Sequence, residues 1–342
     1  MSDSQVFSTA QNSLEGSPVG GGAHSALPPT ARRRRRRRTS WQERFEITVL
    51  SGPAIVVFLT FVILPVCMAV YYGFYRWKGY GKPTDFVWFR NYKVILTDPD
   101  FHSAVIHNFE IVALSLAIQG PIAVLLALLL NRKIRGRSII RILVFVPWVV
   151  SEVIAGTGWS LMLATQGAFN GFLSSLGIFG HHVHVDWLAS PHIAMWSLMM
   201  ILTWKYIGFA VILLMAGLQN IPEELYEAAA IDGASYWQQQ RRITLPLLGP
   251  TLRIWGFLSV IGALQLFDLV YIIWGQYVAG VAGVSTMATY MVQNGRLSGN
   301  YGYGNAVAVV LFLISLVVAL GYQRFVLRRD VQGALTEGES VR

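Results

Sequence analysis

The chain has 342 residues, 54% of them hydrophobic and only 13% charged, with a mean hydropathy of +0.48. That balance excludes an ordinary soluble domain and describes a polytopic membrane protein. The net charge of +9 is not a nucleic-acid signature, because the positive residues fall mostly in loops on one side of the predicted spans, and a single cysteine, Cys67, excludes an internal disulfide.

Residues 1–40 are rich in Ser, Gly, Ala and Pro and end in the seven arginines Arg32 to Arg38. They predict a disordered tail whose basic run holds the N-terminus in the cytosol beside anionic lipid. A cleaved leader is not expected, since about forty polar residues come first and the apolar stretch that follows is too long for a signal sequence. Six apolar stretches then follow, roughly Ile47 to Tyr75, Asn108 to Leu130, Ile139 to Ala164, His192 to Gly217, Thr251 to Trp274 and Asn305 to Val326. Each can span a bilayer, which takes about 20 residues.

With the N-terminus inside, the cytosolic regions hold the arginine run, Arg44, Arg132, Lys133, Arg135, Arg137, Arg141, Arg241, Arg242, Arg253, Arg324, Arg328, Arg329 and Arg342. The other side holds Arg76, Lys78, Lys82, Arg90, Lys93 and Arg296. Twenty against six sets the orientation and puts both termini and the 219–250 loop in the cytosol.

The first outside loop, Arg76 to His107, carries Phe89, Asn91, Tyr92, Asp98, Pro99 and Phe101 in the order FxNYxxxxxDPxF, followed by Asn108. The second offers Gly167, Asn170, His181, His182, His184 and Trp187, with Pro147 and Trp159 ahead of it in the third span. The histidines share one short loop without cysteine, and the only nearby carboxylate is Asp186, so they read as solvated residues. No metal or other cofactor is expected. Glu152 and Lys205 each lie thirteen residues into their spans, the third and the fourth, and the spans are antiparallel, which brings both to mid-membrane. A lone charge there costs about 2.5 to 3.5 kcal/mol, so either the two pair with each other or each finds its own partner or a wet cavity.

Between the fourth and fifth stretches lies QNIPEELYEAAAIDGASYWQQQRRITLPLLGP, Gln219 to Pro250. Pro222 suits a first helical position, Glu223 and Glu224 favour the positive end of a helix, and Gly233 can take the left-handed conformation that ends it. Ser235 can cap a second helix, with Arg241 and Arg242 in its last turn and Pro246 as its stop. The loop predicts helix, glycine hinge, helix.

Glu227, Ala228 and Ala229, then Gly233 after three residues, then Ile243, Leu245 and Pro246 spell EAA, three residues, G, nine residues, I, one residue, LP. This resembles the coupling loop of ABC importer permeases of type 1. The resemblance implies an all-α bundle of six transmembrane helices with cytosolic termini. It also implies a second permease subunit, two ATP-binding subunits on which this loop docks, and an extracytoplasmic solute-binding protein. The FxNY…DPxF segment and the Gly, Asn and Trp of the second outside loop are similar to the carbohydrate-uptake subfamily. So are Phe267 and Asp268 in GALQLFDLVYIIW, with the later Ser285, Thr286 and GYGNA of Gly302 to Ala306. Trp274, Gly275 and Gln276 stand where that family often has a Gly-Gly-Pro turn. Gln265 and Asp268, at i and i+3, are expected on one face in the outer half of the fifth span, as candidate solute contacts beside Glu152 and Lys205, with a place at the water interface as the other reading of Asp268.

No G-x-x-x-x-G-K-[ST] occurs, so the chain is not expected to be an enzyme and ATP hydrolysis is expected in a separate subunit. Two other readings are an ion-coupled secondary transporter using Glu152 and Lys205 as charge carriers, and a membrane-embedded enzyme built on Glu152, Asp268 and the loop histidines. The second lacks any nucleophile or metal-ligand spacing. The expected organisation is a cytosolic tail at 1–40, a first span and loop at 41–103, a type-1 permease domain at 104–326 and a cytosolic tail at 327–342. The expected location is a bacterial-type plasma membrane.

Overall fold

Inside a bilayer every backbone N–H and C=O needs a partner within the protein, so the chain must be helical wherever it faces lipid. The computed structural model describes residues 41–132, 135–177 and 184–327, without the side chains of residues 42–44, 46–47 and 276–278. The arginine run, Lys133, His181, His182 and the tail after Leu327 lie outside the described residues. The chain divides into two units, Met1–Val56 and Val57–Arg342. The described part of the first belongs to helix α1 (Trp41–Phe58).

The described residues of the second unit are helical almost throughout. A π turn (Leu59–Ile63) and α2 (Leu64–Gly73) complete the first span. A loop follows with one isolated bridge between Tyr75 and Phe86, then α3 (Arg90–Thr97) and α4 (Pro99–Leu114). Asp98 caps α4, accepting from the N–H groups of Asp100 and Phe101. A second π turn (Ser115–Gln119) leads into α5 (Gly120–Asn131), so that Pro99–Asn131 forms one apolar helix of 33 residues.

After α6 (Arg137–Val149) and α7 (Glu152–Met162) come the short α8 (Ala168–Leu176) and the long α9 (Pro191–Gln219). The cytosolic loop holds α10 (Glu224–Ile231) and α11 (Tyr236–Gln239), and a π turn (Gln240–Thr244) joins α11 to α12 (Leu245–Leu247). Then follow α13 (Gly249–Leu264), α14 (Asp268–Val281) with a kink at Gly275, α15 (Met287–Met291) and α16 (Tyr301–Tyr322). Among the described residues four helices are long and apolar enough to cross a membrane, or six if each of two bent pairs counts as one span.

Those bent pairs bring the number of spans to the six that the sequence predicts, with breaks that hydropathy alone does not mark. The third span is α6 and α7, set at 99° to each other. Pro147 weakens the last turn of α6, and Ser151 starts a new helix by accepting from the N–H of Ile154. At the fifth span, the loop segment Tyr236–Leu247 meets α13 at 60°, and α13 ends at Leu264. Gln265 leaves the helix at φ −100°, ψ 7°, and Asp268 opens α14. The two are therefore not neighbours on one helical face. Asn108 of α4 is the cause: its Nδ2 donates to the carbonyls of Ala263 (2.7 Å) and Leu264 (3.4 Å). In a continuous helix those acceptors would serve the N–H groups of Phe267 and Asp268. Thr286 likewise donates to Leu266 O at 2.7 Å.

Lipid gives apolar helices little reason to associate, so close packing of small residues does that work. Ala123 and Ala127 of α5 and Ala210 of α9 are fully buried in a shared core with Val211 and Leu214. A Cβ on Gly120 would come within 2.9 Å of the Trp255 ring, and one on Gly208 within 2.5 Å of the Val144 carbonyl oxygen. The polar residues of the first outside loop act as staples. Asn91 donates to the carbonyls of Gly73 and Tyr75 at 2.8 and 3.1 Å. Asp98 accepts from the Tyr290 hydroxyl at 2.7 Å, and burial holds that hydroxyl in its neutral form by pushing its pKa well above the ordinary value.

Candidate coupling loop and solute cavity

The 219–250 loop has the helix, hinge, helix form that its residues predict. Gly233 sits at φ +78°. Its N–H donates to Ala230 O and that of Ala234 to Ala229 O, at 3.0 and 2.9 Å. This pair of bonds is a Schellman stop, which needs a residue at ease in the left-handed region. Ser235 and Gln238 form a reciprocal capping box at the start of α11. Pro246 does not stop the chain. The preceding π turn shifts the hydrogen-bond register, so the N–H that proline lacks is not missed and the helix runs on to Leu247.

Glu227 and Ala228 are exposed on α10, whereas Ala229 and Ile243 are half-buried and Leu245 and Pro246 exposed. The loop is held from behind. Tyr226 Oη and the buried Thr244 Oγ1 lie 3.0 Å apart, and the Arg132 guanidinium at the end of α5 stands 4.4 Å from the centroid of the Tyr236 ring. Two large apolar side chains that the motif does not contain, Ile231 (87% exposed) and Trp237 (73%), stand free on the same loop. A tryptophan followed by three glutamines in a polar loop was the available signal for the second.

A cavity of about 240 Å³ opens between the second, third, fourth and fifth spans. Trp148, Tyr206, Phe209 and Trp255 give it aromatic walls; Ser115, Gln119 and Ser259 give it a polar strip. Ser115 Oγ donates to Gln119 Oε1 at 2.7 Å and lies 2.8 Å from Ser259 Oγ. The π turn at Ser115–Gln119 puts both polar side chains on the cavity side. Gly262 also lines the cavity, and a Cβ there would meet nothing within 4 Å. Sequence reasoning missed all of these residues. Two polar residues four apart in an apolar span, Ser115 and Gln119, were the only signal.

Of the four residues expected on the solute path, Glu152 and Lys205 come together beside this cavity. Lys205 Nζ lies 3.5 Å from Glu152 Oε1, which also accepts from the Tyr206 hydroxyl at 3.0 Å. Glu152 Oε2 is buried without a hydrogen-bond partner among the described residues. Gln265 and Asp268 are both exposed at the outer end of the fifth span and line no part of the cavity.

Residues 119–331 match the family described as the binding-protein-dependent transport system inner membrane component. The trehalose/maltose transport system permease protein MalF of Thermococcus litoralis is 35% identical over 282 residues, 81% of this chain and 92% of that protein. The sulfoquinovosyl glycerol transport system permease protein SmoG of Agrobacterium fabrum is 32% identical, over 84% of this chain and 92% of its own length. A chain of a bacterial ABC transporter involved in alginate import has the same fold, with a TM-score of 0.72 at 24% identity, covering 84% of this chain and 98% of that one. A family match over most of the chain and relatives similar almost end to end agree: the chain belongs to the binding-protein-dependent transport system inner membrane components, the permease subunits of ABC importers.

Proposed function

We propose that this chain forms half of the translocation path of an ATP-driven importer for a sugar or related carbohydrate, in a bacterial-type plasma membrane. The observation that carries this reading is the cytosolic loop, a rigid two-helix knob with exposed Glu227, Ile231 and Trp237 at its surface. Such a knob fits a cleft on a separate ATP-binding subunit. Two such subunits, a second permease and an extracytoplasmic solute-binding protein complete the assembly. Closure of the ATPases would move the loop, and through α12 and α13 the wall of the cavity, as a semi-rigid lever.

The cavity suits a carbohydrate. Aromatic faces stack on the apolar faces of a sugar ring while Ser115, Gln119 and Ser259 offer hydroxyl and amide groups to its hydroxyls. The relatives named above are permeases for trehalose and maltose and for a sulfoquinovosyl glycerol, which supports the same class here. Glu152 and Lys205 border the path, and Gln265 and Asp268 stand at its outer mouth. An ion-carrier role suits Lys205 poorly, because its ammonium is already engaged by backbone carbonyls.

Two substitutions test the two halves of the proposal. Gly233→Val forces a branched residue to φ +78°, which costs the loop about 1 to 3 kcal/mol. The chain should still insert, but the ATP-binding subunits should co-purify poorly and uptake should fall. Normal uptake with a full complement of ATPase would sink the docking role. Gly262→Phe places a ring in the open space of the cavity, and the helix itself should gain a few tenths of a kcal/mol from losing a glycine. Uptake of the sugar carried by the cognate binding protein should drop sharply while the melting temperature holds. Unchanged transport kinetics would exclude the cavity from the path.

A further inference from the structure

Lys205 is 2% exposed in the middle of α9. Its ammonium donates to the carbonyls of Pro147 at 3.1 Å, of Trp148 at 3.2 Å and of Val150. These oxygens belong to the last turn of α6 and its junction with α7. There the 99° bend removes the N–H groups that a continuous helix would bring. A helix that ends inside the protein also presents the negative end of its dipole, and the helix that starts beside it presents the positive end. Lys205 faces the end of α6, and Glu152 is the first residue of α7. Each charge matches its dipole, and the two charges pair with each other at 3.5 Å.

The same ammonium lies 5.9 Å from the ring centroids of both Trp148 and Tyr206. Those rings meet edge to face at 5.7 Å and line the cavity. Trp148 in turn stacks on Phe209 at 4.9 Å. Lys205 therefore touches the backbone of one wall residue, Trp148, and adjoins the other, Tyr206, in sequence.

We propose that Lys205 is a positioning residue for transport, a tethered cation that replaces the backbone donors missing at the break of the third span and so holds Trp148 and Tyr206 as one wall of the cavity. The role rests on the cavity being part of the solute path. A methionine in place of Lys205 fills the same volume but leaves three carbonyls without their donor and the Glu152 carboxylate without its counter-ion, so the wall must rearrange.

The test uses the assembled transporter with its partner subunits in lipid nanodiscs, in a Cys67→Ser background with Ser259→Cys as a reporter in the cavity. The readout is the labelling rate of that cysteine by trimethylammonium-ethyl methanethiosulfonate. Lys205→Met and Lys205→Ala should each change the rate by about tenfold, and propylammonium in the buffer should return Lys205→Ala toward the native rate while choline should not. A native labelling rate in Lys205→Met overturns the proposal. So does an altered rate that propylammonium leaves unchanged, which assigns Lys205 to general stability. Should the variants fail to assemble, recovery of assembled Lys205→Ala by propylammonium supports the role, and no recovery overturns it. Failure of the cavity reading shows separately, as unimpaired uptake in Gly262→Phe.

Discussion

Lys205→Met should destabilise the assembled permease by about 3 to 5 kcal/mol, because it removes one member of a buried charged network and leaves the rest unmatched. Glu152→Gln should cost less, about 1 to 3 kcal/mol. In that variant the ammonium keeps its bonds to the carbonyls of Pro147, Trp148 and Val150, and the amide oxygen can still accept from Tyr206. The double substitution should be no worse than Lys205→Met alone. Once the ammonium is gone the Glu152 carboxylate is a buried charge without a counter-ion, and neutralising it relieves part of the damage. A coupling energy of about 1 kcal/mol or more follows for groups in contact. Chemical unfolding of the four combinations in detergent measures it. Additive losses would mean that the 3.5 Å approach of Glu152 and Lys205 contributes nothing.

What could be read from the sequence divides along a physical line. Spans were legible as sums: hydropathy over about 20 residues finds an apolar stretch however the chain bends within it. The cytosolic loop was legible for the opposite reason, because caps and hinges are local. Gly233 and Ser235 each meet partners within five residues. Breaks were not legible as breaks. The Pro147, Ser151 and Glu152 series carries a helix stop and a helix start, yet it sits inside unbroken apolar sequence, and summed hydropathy outweighs the local signal. At Gln265 and Asp268 the helix ends because Asn108, more than 150 residues earlier, takes two of its carbonyls. No local pattern encodes that. The cavity is hidden in the same way, since Ser115 and Ser259 are 144 residues apart in the chain and 2.8 Å apart in space.

Broken spans also explain why a chain this apolar carries buried polar side chains. Every helix interruption in the membrane frees carbonyls that water cannot reach, and each must be met by a donor from another span. Lys205 serves the break in the third span, and Asn108 and Thr286 serve the end of the fifth. Donors of this kind let a span change direction at a fixed point.

Gly302→Ala should have an effect comparable to that of Lys205→Met, by a different route. Gly302 lies in the first turn of α16, and its N–H donates to the Trp77 carbonyl at 2.9 Å. A Cβ there would overlap the carbonyl oxygen of Tyr75 and lie 2.9 Å from the Trp77 nitrogen. Both obstacles are backbone, so neither can rotate aside. The Tyr75 carbonyl is further pinned by Asn91 at 3.1 Å and by the bridge between Tyr75 and Phe86. One methyl group must therefore push α16 away from the loop that follows the first span, at a cost of about 3 kcal/mol. Gly321, near the other end of α16, provides the control. A Cβ there meets nothing within 4 Å, so Gly321→Ala should stabilise the same helix by up to about 1 kcal/mol through propensity alone. The same substitution in one helix is thus expected to act with opposite signs at its two ends. Melting temperatures of the two variants in nanodiscs decide it: equal shifts would mean that α16 does not approach the Tyr75 backbone as closely as described.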